Sequence, residues 1–332
     1  MGILSLIAPS PIKRITNIAE VHAVLSKAYS ESERQLFELR KIAIETIGEN
    51  KSVIVGVNGS VARREATSGS DVDLFVLSVD EDIAAATKIY DSYRIALRAK
   101  GVKMPASGGV FETPLQKSEL HSKIGGDDDT NTYITRRMLY LLEGEWIFNQ
   151  AEFEKLREDL IQRYVTDDLE DHKICRFLLN DVIRYWRTIC VDFEFKTADA
   201  NKPRAIRLIK LRLSRMLLYF AGVAAIRETS GKNAASKRAT LARLLAKPPV
   251  ERLCEIFGND RMAGALACYA TFLNAIDLPE VRGRLDANGK LGLETAEYSD
   301  LTDVAREFRS ELISLLLKSD RTPDEIALAL MF

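Results

Sequence analysis

Two aspartates alternate with apolar residues early in the chain, in the segment DVDLFVL (71–77). This alternation predicts a β-strand, in which side chains two positions apart share a face and lie roughly 7 Å from each other. Asp71 and Asp73 therefore point the same way, whereas the valines and the leucine beside them point to the opposite face and can pack into a core. Neighbouring carboxylates repel each other unless a cation lies between them. Because Mg²⁺ prefers oxygen ligands and retains waters for substrate phosphates, the pair predicts a magnesium site.

A glycine and a serine, Gly59 and Ser60, precede this pair and follow, after Asn58, the apolar run 53–57, which predicts a strand covered on both faces. Glycine lets a backbone approach a phosphate closely, and the Gly59 amide and the Ser60 hydroxyl can donate hydrogen bonds to phosphate oxygens. Arg63 is a further candidate phosphate ligand, or else it pairs with Glu65. A phosphate turn beside a metal pair predicts a site for a nucleoside triphosphate such as ATP.

These residues resemble the polymerase-β-type nucleotidyltransferase superfamily, whose signature is Gly-Ser followed by Asp-x-Asp with alternating apolar residues. The stretch GSVARREATSGSDVDLFVL (59–77) resembles the subset that modifies proteins or small molecules. MPASGGVFETP (104–114) and TRRMLYLLEGEWIFNQAEF (135–153) loosely resemble the uridylyltransferase of the PII signalling protein and its uncharacterised bacterial relatives. Asn58, where the family usually has an apolar residue, and Arg64, in place of the common glycine, depart from the pattern, but neither removes a group that the chemistry requires.

The resemblance implies a third carboxylate on a later strand, acting as metal ligand and general base. Glu112, on a short strand predicted near Val110, is one candidate, with an ordinary surface carboxylate as the alternative. The acidic run 127–129 is another candidate, although three consecutive aspartates after two glycines are typical of a solvated loop. If neither serves, the protein binds a nucleotide with little or no turnover.

The overall pattern predicts the α/β fold class, with helices expected at 18–28, 31–48 and 133–148 among others. A polymerase-β-like nucleotidyltransferase domain (1–165), a small mixed sheet with helices, would be followed by an all-α helical bundle domain (166–332). In the second half, one predicted helix carries basic residues with leucines among them, so both of its sides are expected to be partly covered. Its basic heads either line a cleft toward the nucleotide, with Lys210 as the candidate ligand, or form salt bridges with nearby acids. These residues are Arg204, Arg207, Lys210, Arg212 and Arg215.

Charge and composition limit the partners. The 47 basic and 48 acidic residues give a net charge of -1, without the basic excess usual for proteins that hold nucleic acid by its phosphates. The N-terminus lacks the order of a secretory signal, and no apolar run approaches the length of a membrane span, so we expect a cytoplasmic protein without membrane contact.

The sequence therefore predicts a Mg²⁺-dependent nucleotidyltransferase that moves a nucleoside monophosphate to a hydroxyl of a protein or small molecule and releases pyrophosphate. Transfer between nucleotides remains an alternative, either as synthesis of a cyclic signalling nucleotide or as addition to RNA. A non-catalytic nucleotide sensor is another.

Overall fold

A four-stranded mixed sheet forms the centre of the N-terminal half. The computed structural model describes residues 11–105, 109–198, 202–317 and 324–331. The strands are β1 (Val53–Asn58), β2 (Asp73–Ser78), β3 (Leu115–Gln116) and β4 (Glu145–Phe148), in the order β3-β2-β1-β4. β1 is antiparallel to β2 and β4, whereas β2 and β3 are parallel. The mixed α/β class is thus confirmed.

Both faces of the sheet are covered, as the apolar run of β1 predicts. Val55 and Val76 face a cluster formed with α1 (Ile18–Ile47) and α3 (Ile83–Ala99). Ile54 and Phe75, on the other face, join the larger cluster that includes the helical half. Asp73 shares the face of Phe75 because strand side chains alternate. Asp73 therefore points toward the helices of the second half, whereas Asp71 lies just before the strand, which begins at Asp73 and not at the predicted Asp71.

The rest of the described chain is mostly helical. The remaining helices are α2 (Gly59–Ala62), α4 (Asn131–Leu142), α5 (Gln150–Tyr164), α6 (Arg176–Lys196), α7 (Ala205–Lys210), α8 (Met216–Arg227), α9 (Ala234–Leu245), α10 (Pro249–Phe257), α11 (Asn259–Asp277), α12 (Pro279–Leu285), α13 (Ala296–Leu317) and α14 (Asp324–Met331). A π-helical turn (Leu211–Arg215) joins α7 to α8 in one continuous helix.

Three local predictions were wrong. The helices expected at 18–28 and 31–48 are one helix, α1, because no proline or glycine interrupts them. The helix expected at 133–148 ends at Leu142, and the segment after Gly144 adds β4 to the edge of the sheet. The strand expected at 109–112 is a turn, in which the Glu112 amide donates to the Gly109 carbonyl at 3.2 Å. Parts of other predictions, the N-terminal run 1–10 and residues 106–108 of the resemblance, lie outside the described residues.

One hydrophobic cluster joins the two halves. It contains Phe75 and Leu115 from the sheet together with Leu213 and Phe308 from the helical half. The boundary predicted at 165 falls directly after α5, which ends at Tyr164. Within the described parts of the chain, no helix combines the length and the apolar character needed to cross a membrane.

Candidate functional site

The acidic pair lies where β1 and β2 end beside each other. Asp73 opens β2 and is paired in register with Asn58, the last residue of β1. Gly59 follows with a φ of 79°, and a Cβ placed on it would lie 2.3 Å from Asp73 Oδ2. Only glycine combines this left-handed backbone with so close an approach. The requirement for Gly59 thus comes from the Asp73 carboxylate in this structure.

The Asp73 carboxylate carries an electrostatic cost. Burial and then the neighbouring charge of Asp71 raise the pKa of Asp73 to about 6, and the charge of Arg215 only partly opposes them. The raised pKa means that the folded protein resists this negative charge. A cation beside the pair would remove that cost.

A buried ion-pair network surrounds the turn after β1. Glu143, at the C-terminal end of α4, accepts a hydrogen bond from the Gly59 amide at 3.1 Å and ion pairs from Arg63 and Arg215. Burial by itself would raise the Glu143 pKa, but the charges of the two arginines outweigh it and hold the pKa below its ordinary value. Arg63 also binds Glu65 at 3.0 Å, and Glu65 accepts a hydrogen bond from Ser214 at 2.7 Å. This network fixes the turn to the helix of the second half.

The network changes the roles expected for the phosphate turn. Arg63 is buried and pairs with Glu143 as well as with Glu65, the partner that the salt-bridge alternative names. The Gly59 amide is also occupied. The half-buried Ser60 makes no side-chain hydrogen bond to a described residue, so its hydroxyl remains available to a ligand.

The π-helical turn brings two cations toward the acidic pair. Burial lowers the pKa of Lys210, the charge of Arg282 on α12 lowers it further, and Asp71 opposes the change. Arg215, at the end of the turn, contacts Glu143 and borders the same cavity as Asp73. π-helical turns often occur at functional sites. Of the basic residues on this helix, Arg215 borders the cavity and Lys210 lies near Asp71, whereas Arg204 pairs with Glu194 at 2.7 Å.

A cavity of about 400 Å³ opens beside the acidic pair. Glu112 borders it, as do Tyr90, Arg94 and Arg98, which are spaced four residues apart along one face of α3. Neither arginine forms an ion pair with a described residue, and the buried Nε of Arg94 has no hydrogen-bond partner. The cavity therefore combines carboxylates at one wall with uncompensated cations at another.

The described residues contain no group of three or more His, Cys, Asp or Glu side chains placed to hold a metal ion. Glu112 borders the cavity without completing such a group with Asp71 and Asp73. In the acidic run, Asp127 and Asp128 are exposed, as expected for a solvated loop, whereas Asp129 is buried against Arg137 at 2.9 Å and Arg184 at 3.2 Å. Among the described residues, no third carboxylate completes a metal-binding group with the acidic pair, and the nearby Glu143 is occupied by Gly59, Arg63 and Arg215.

The sequence did not identify Glu143 or Arg282 as residues of the site, and it did not predict the contact between Arg215 and Glu143. Glu143 is distant in sequence from the pair, and a glutamate at a helix end resembles any surface residue. The sequence signal for this part of the site was Asn58, which departs from the family pattern and borders the cavity beside Asp73. No family model matches the chain, and no curated protein does, so its function rests on the geometry of this site.

Proposed function

We propose that the protein is a metal-dependent nucleotidyltransferase of the polymerase-β type, which moves a nucleoside monophosphate from a nucleoside triphosphate to an acceptor hydroxyl. One observation carries the proposal: Asp73 stands at the start of β2 against Gly59, with the charge of Asp71 beside it, and borders a cavity that arginines also line. The Gly-Ser pair at the end of β1 and the Asp-x-Asp at the start of the antiparallel β2 are the arrangement that the resemblance implies.

The donor set suits magnesium. Asp71 and Asp73 offer carboxylate oxygens, which hard divalent cations prefer, and the raised pKa of Asp73 reports a charge in need of compensation. Bound Mg²⁺ would neutralise charge on the attacking and leaving oxygens of the displacement. Among the described residues the pair has few competing partners, which leaves its oxygens open to the ion.

The triphosphate would lie along the turn after β1. Ser60 donates its hydroxyl to a phosphate oxygen, and the positive charge of Lys210 lies near Asp71, on the side of the pair that faces the second half. Arg215 supports this wall while it holds Glu143. Arg63 contributes indirectly, by fixing the turn through Glu65 and Glu143.

In the reaction, the acceptor oxygen forms a bond to the α-phosphorus, and the bond from that phosphorus to the oxygen bridging to the β-phosphate breaks. Pyrophosphate leaves with the bonding electrons. The proton of the acceptor hydroxyl passes to a base, and Glu112 is the candidate because it borders the cavity that Asp73 enters. Glu112 would then act as a base alone and not as a metal ligand.

The cavity favours a small acceptor. Its volume of about 400 Å³ is within the range of small-molecule sites, about 300–1,000 Å³. Arg94 and Arg98 would attract a negatively charged part of that molecule, or of the nucleotide. A protein hydroxyl on an extended loop could enter the same opening, whereas RNA would need a continuous basic surface that the near-neutral composition does not favour.

A nucleotide sensor is the second candidate, favoured by the absence of a third carboxylate beside the acidic pair among the described residues. The two are separated by incubating the purified chain with each α-³²P-labelled nucleoside triphosphate, Mg²⁺ and cell lysate. We expect pyrophosphate release and label on a small molecule or protein, both absent in Asp73→Asn. Triphosphate binding without pyrophosphate release would favour the sensor, and label on RNA would replace the acceptor proposed here.

A further inference from the structure

Asn58 presents an unsatisfied oxygen to the cavity. The residue is 5 % exposed, and its Oδ1 atom is buried without a hydrogen-bond partner among the described residues. The residue also borders the cavity that contains Asp73. Buried acceptors without a partner are uncommon in native proteins, and each calls for an unseen water, ion or ligand.

The strand register places this oxygen beside Asp73. Asn58 and Asp73 are directly opposite each other on antiparallel strands, where facing Cβ atoms are about 4.5–5.5 Å apart. An amide oxygen and a carboxylate, both acceptors, thus share one strand face. No described side chain donates a hydrogen bond to the Asn58 oxygen, so a positive charge between the two groups would satisfy both.

Glu143 is less suited than Asn58 to be a third ligand of the cation. Its two oxygens already accept from the Gly59 amide, Arg63 and Arg215. A metal ion would have to displace one of these partners to use Glu143, whereas Asn58 offers an oxygen without displacing anything.

We propose that Asn58 Oδ1 is the third protein oxygen around the cation held by Asp71 and Asp73. The inference rests on the proposed function, since it requires that cation. It accounts for the missing third carboxylate, because a neutral amide takes its place as an oxygen donor. The two carboxylates balance the charge of one divalent cation, and the amide is neutral. Lys210 and Arg215 would therefore balance the negative charge of the triphosphate.

The test is direct measurement of Mn²⁺ binding to the purified chain, by electron paramagnetic resonance of the free ion at pH 7.5, without nucleotide. Asn58→Val keeps a strand-forming residue and removes the oxygen, so we expect affinity to fall by roughly tenfold or more, on the scale of weakened metal sites. Asn58→Asp keeps an oxygen in place and should bind Mn²⁺ at least as tightly as the wild type. Asn180→Ala, an exposed asparagine on α6, is the matched control and should not change affinity.

The outcomes separate the two proposals. Loss of binding in Asp73→Asn with wild-type binding in Asn58→Val would overturn the role of Asn58 and leave the proposed function in place. Wild-type binding in both variants would overturn both. If Asn58→Val fails to fold, Asn58→Asp decides, because weaker Mn²⁺ binding in that variant would mean that the amide nitrogen donates to Asp73 and that the oxygen is no ligand.

Discussion

Two acidic clusters in this protein use the same residue types with opposite charge balance. Asp129 and Asp181 are buried around Arg137, which donates to them at 2.9 and 2.8 Å, and Arg184 also binds Asp129. Asp73 borders a cavity with Asp71 close by, and among the described residues neither forms an ion pair.

The pKa values follow this difference. Burial alone would raise the pKa of Asp129, but hydrogen bonds from Arg137 and the Gly125 amide lower it overall. Burial and the charge of Asp71 raise the pKa of Asp73 to about 6. A saturated cluster stabilises the fold, whereas a cluster with surplus charge is suited to a ligand that the chain itself does not provide.

The largest expected effect is on catalysis at the unsaturated cluster. Asp73→Asn should reduce nucleotidyl transfer on the order of a thousandfold or more, because a bound metal contributes several kcal/mol to the transition state. The measurement is pyrophosphate release at saturating triphosphate and Mg²⁺. Circular dichroism should show an intact fold, and wild-type transfer in this variant would remove Asp73 from the site.

At the saturated cluster the effect should be on stability. Asp129→Asn leaves Arg137 and Arg184 with one charge partner fewer, and breaking a buried pair costs about 3–5 kcal/mol. Urea denaturation should give a lower midpoint, while Mn²⁺ affinity per folded molecule stays at the wild-type value. Unchanged stability together with reduced Mn²⁺ binding would reverse the assignment of the two clusters.

The two clusters should also respond oppositely to pH. The folded pKa of Asp73 lies above its ordinary value of 3.8, so the folded protein holds that proton more tightly and the metal-free protein gains stability as pH falls from 7 toward 5. The gain is at most about 3 kcal/mol, at about 1.4 kcal/mol per pKa unit. Asp129, with a lowered pKa, contributes stability that is lost as pH falls further. Thermal unfolding of wild type and Asp73→Asn should differ most at pH 7 and converge near pH 4, with the variant the more stable at pH 7.

A substitution of Glu112 tests whether this residue is the general base of the reaction. Glu112→Gln should lower the transfer rate by about a hundredfold or more and leave triphosphate binding unchanged, because a general base contributes to rate more than to affinity. Single-turnover rates and calorimetric binding provide the two measurements. Glu119→Gln, a carboxylate outside the residues that border the cavity, is the control. Equal rates in both variants would show that the proton leaves by another route.

Ser60→Ala should give the smallest effect. It removes one hydrogen bond to a charged group, worth about 1.5–3 kcal/mol, so triphosphate affinity should fall roughly ten- to a hundredfold. Isothermal calorimetry in Mg²⁺ provides the dissociation constant, with Ser68→Ala on the exposed loop as the control. Affinity equal to the control would place the phosphates away from the turn.

The sequence predicted the elements whose patterns are local. The alternation in 71–77 located β2 and its buried valine and leucine face, and the apolar run before Gly59 located β1. β4 was missed because a four-residue strand after Gly144 continues the apolar pattern of α4.

The sequence predicted the acidic residues of the site but not the contacts that its arginines make. The spacing of Asp71 and Asp73 identifies them as a candidate metal site. The contacts of Arg63 depend on Glu143, which only the fold brings near. Lys210 was selected from a helix with five basic residues, and the turn that points it toward Asp71 has no sequence signal of its own. Long-range ion pairing cannot be read from neighbours along the chain.

The π-helical turn makes the site sensitive to chain length. A π-helical turn takes one residue more than an α-helical turn, so deletion of a single residue within Leu211–Arg215 would allow a regular α-helix to continue. Each residue advances an α-helix by about 100°, and Lys210 and Arg215 would then no longer face the acidic pair together. The hydrophobic character of the helix would hardly change. Single-residue deletions, more than substitutions, are therefore the changes to which this wall of the cavity is most vulnerable.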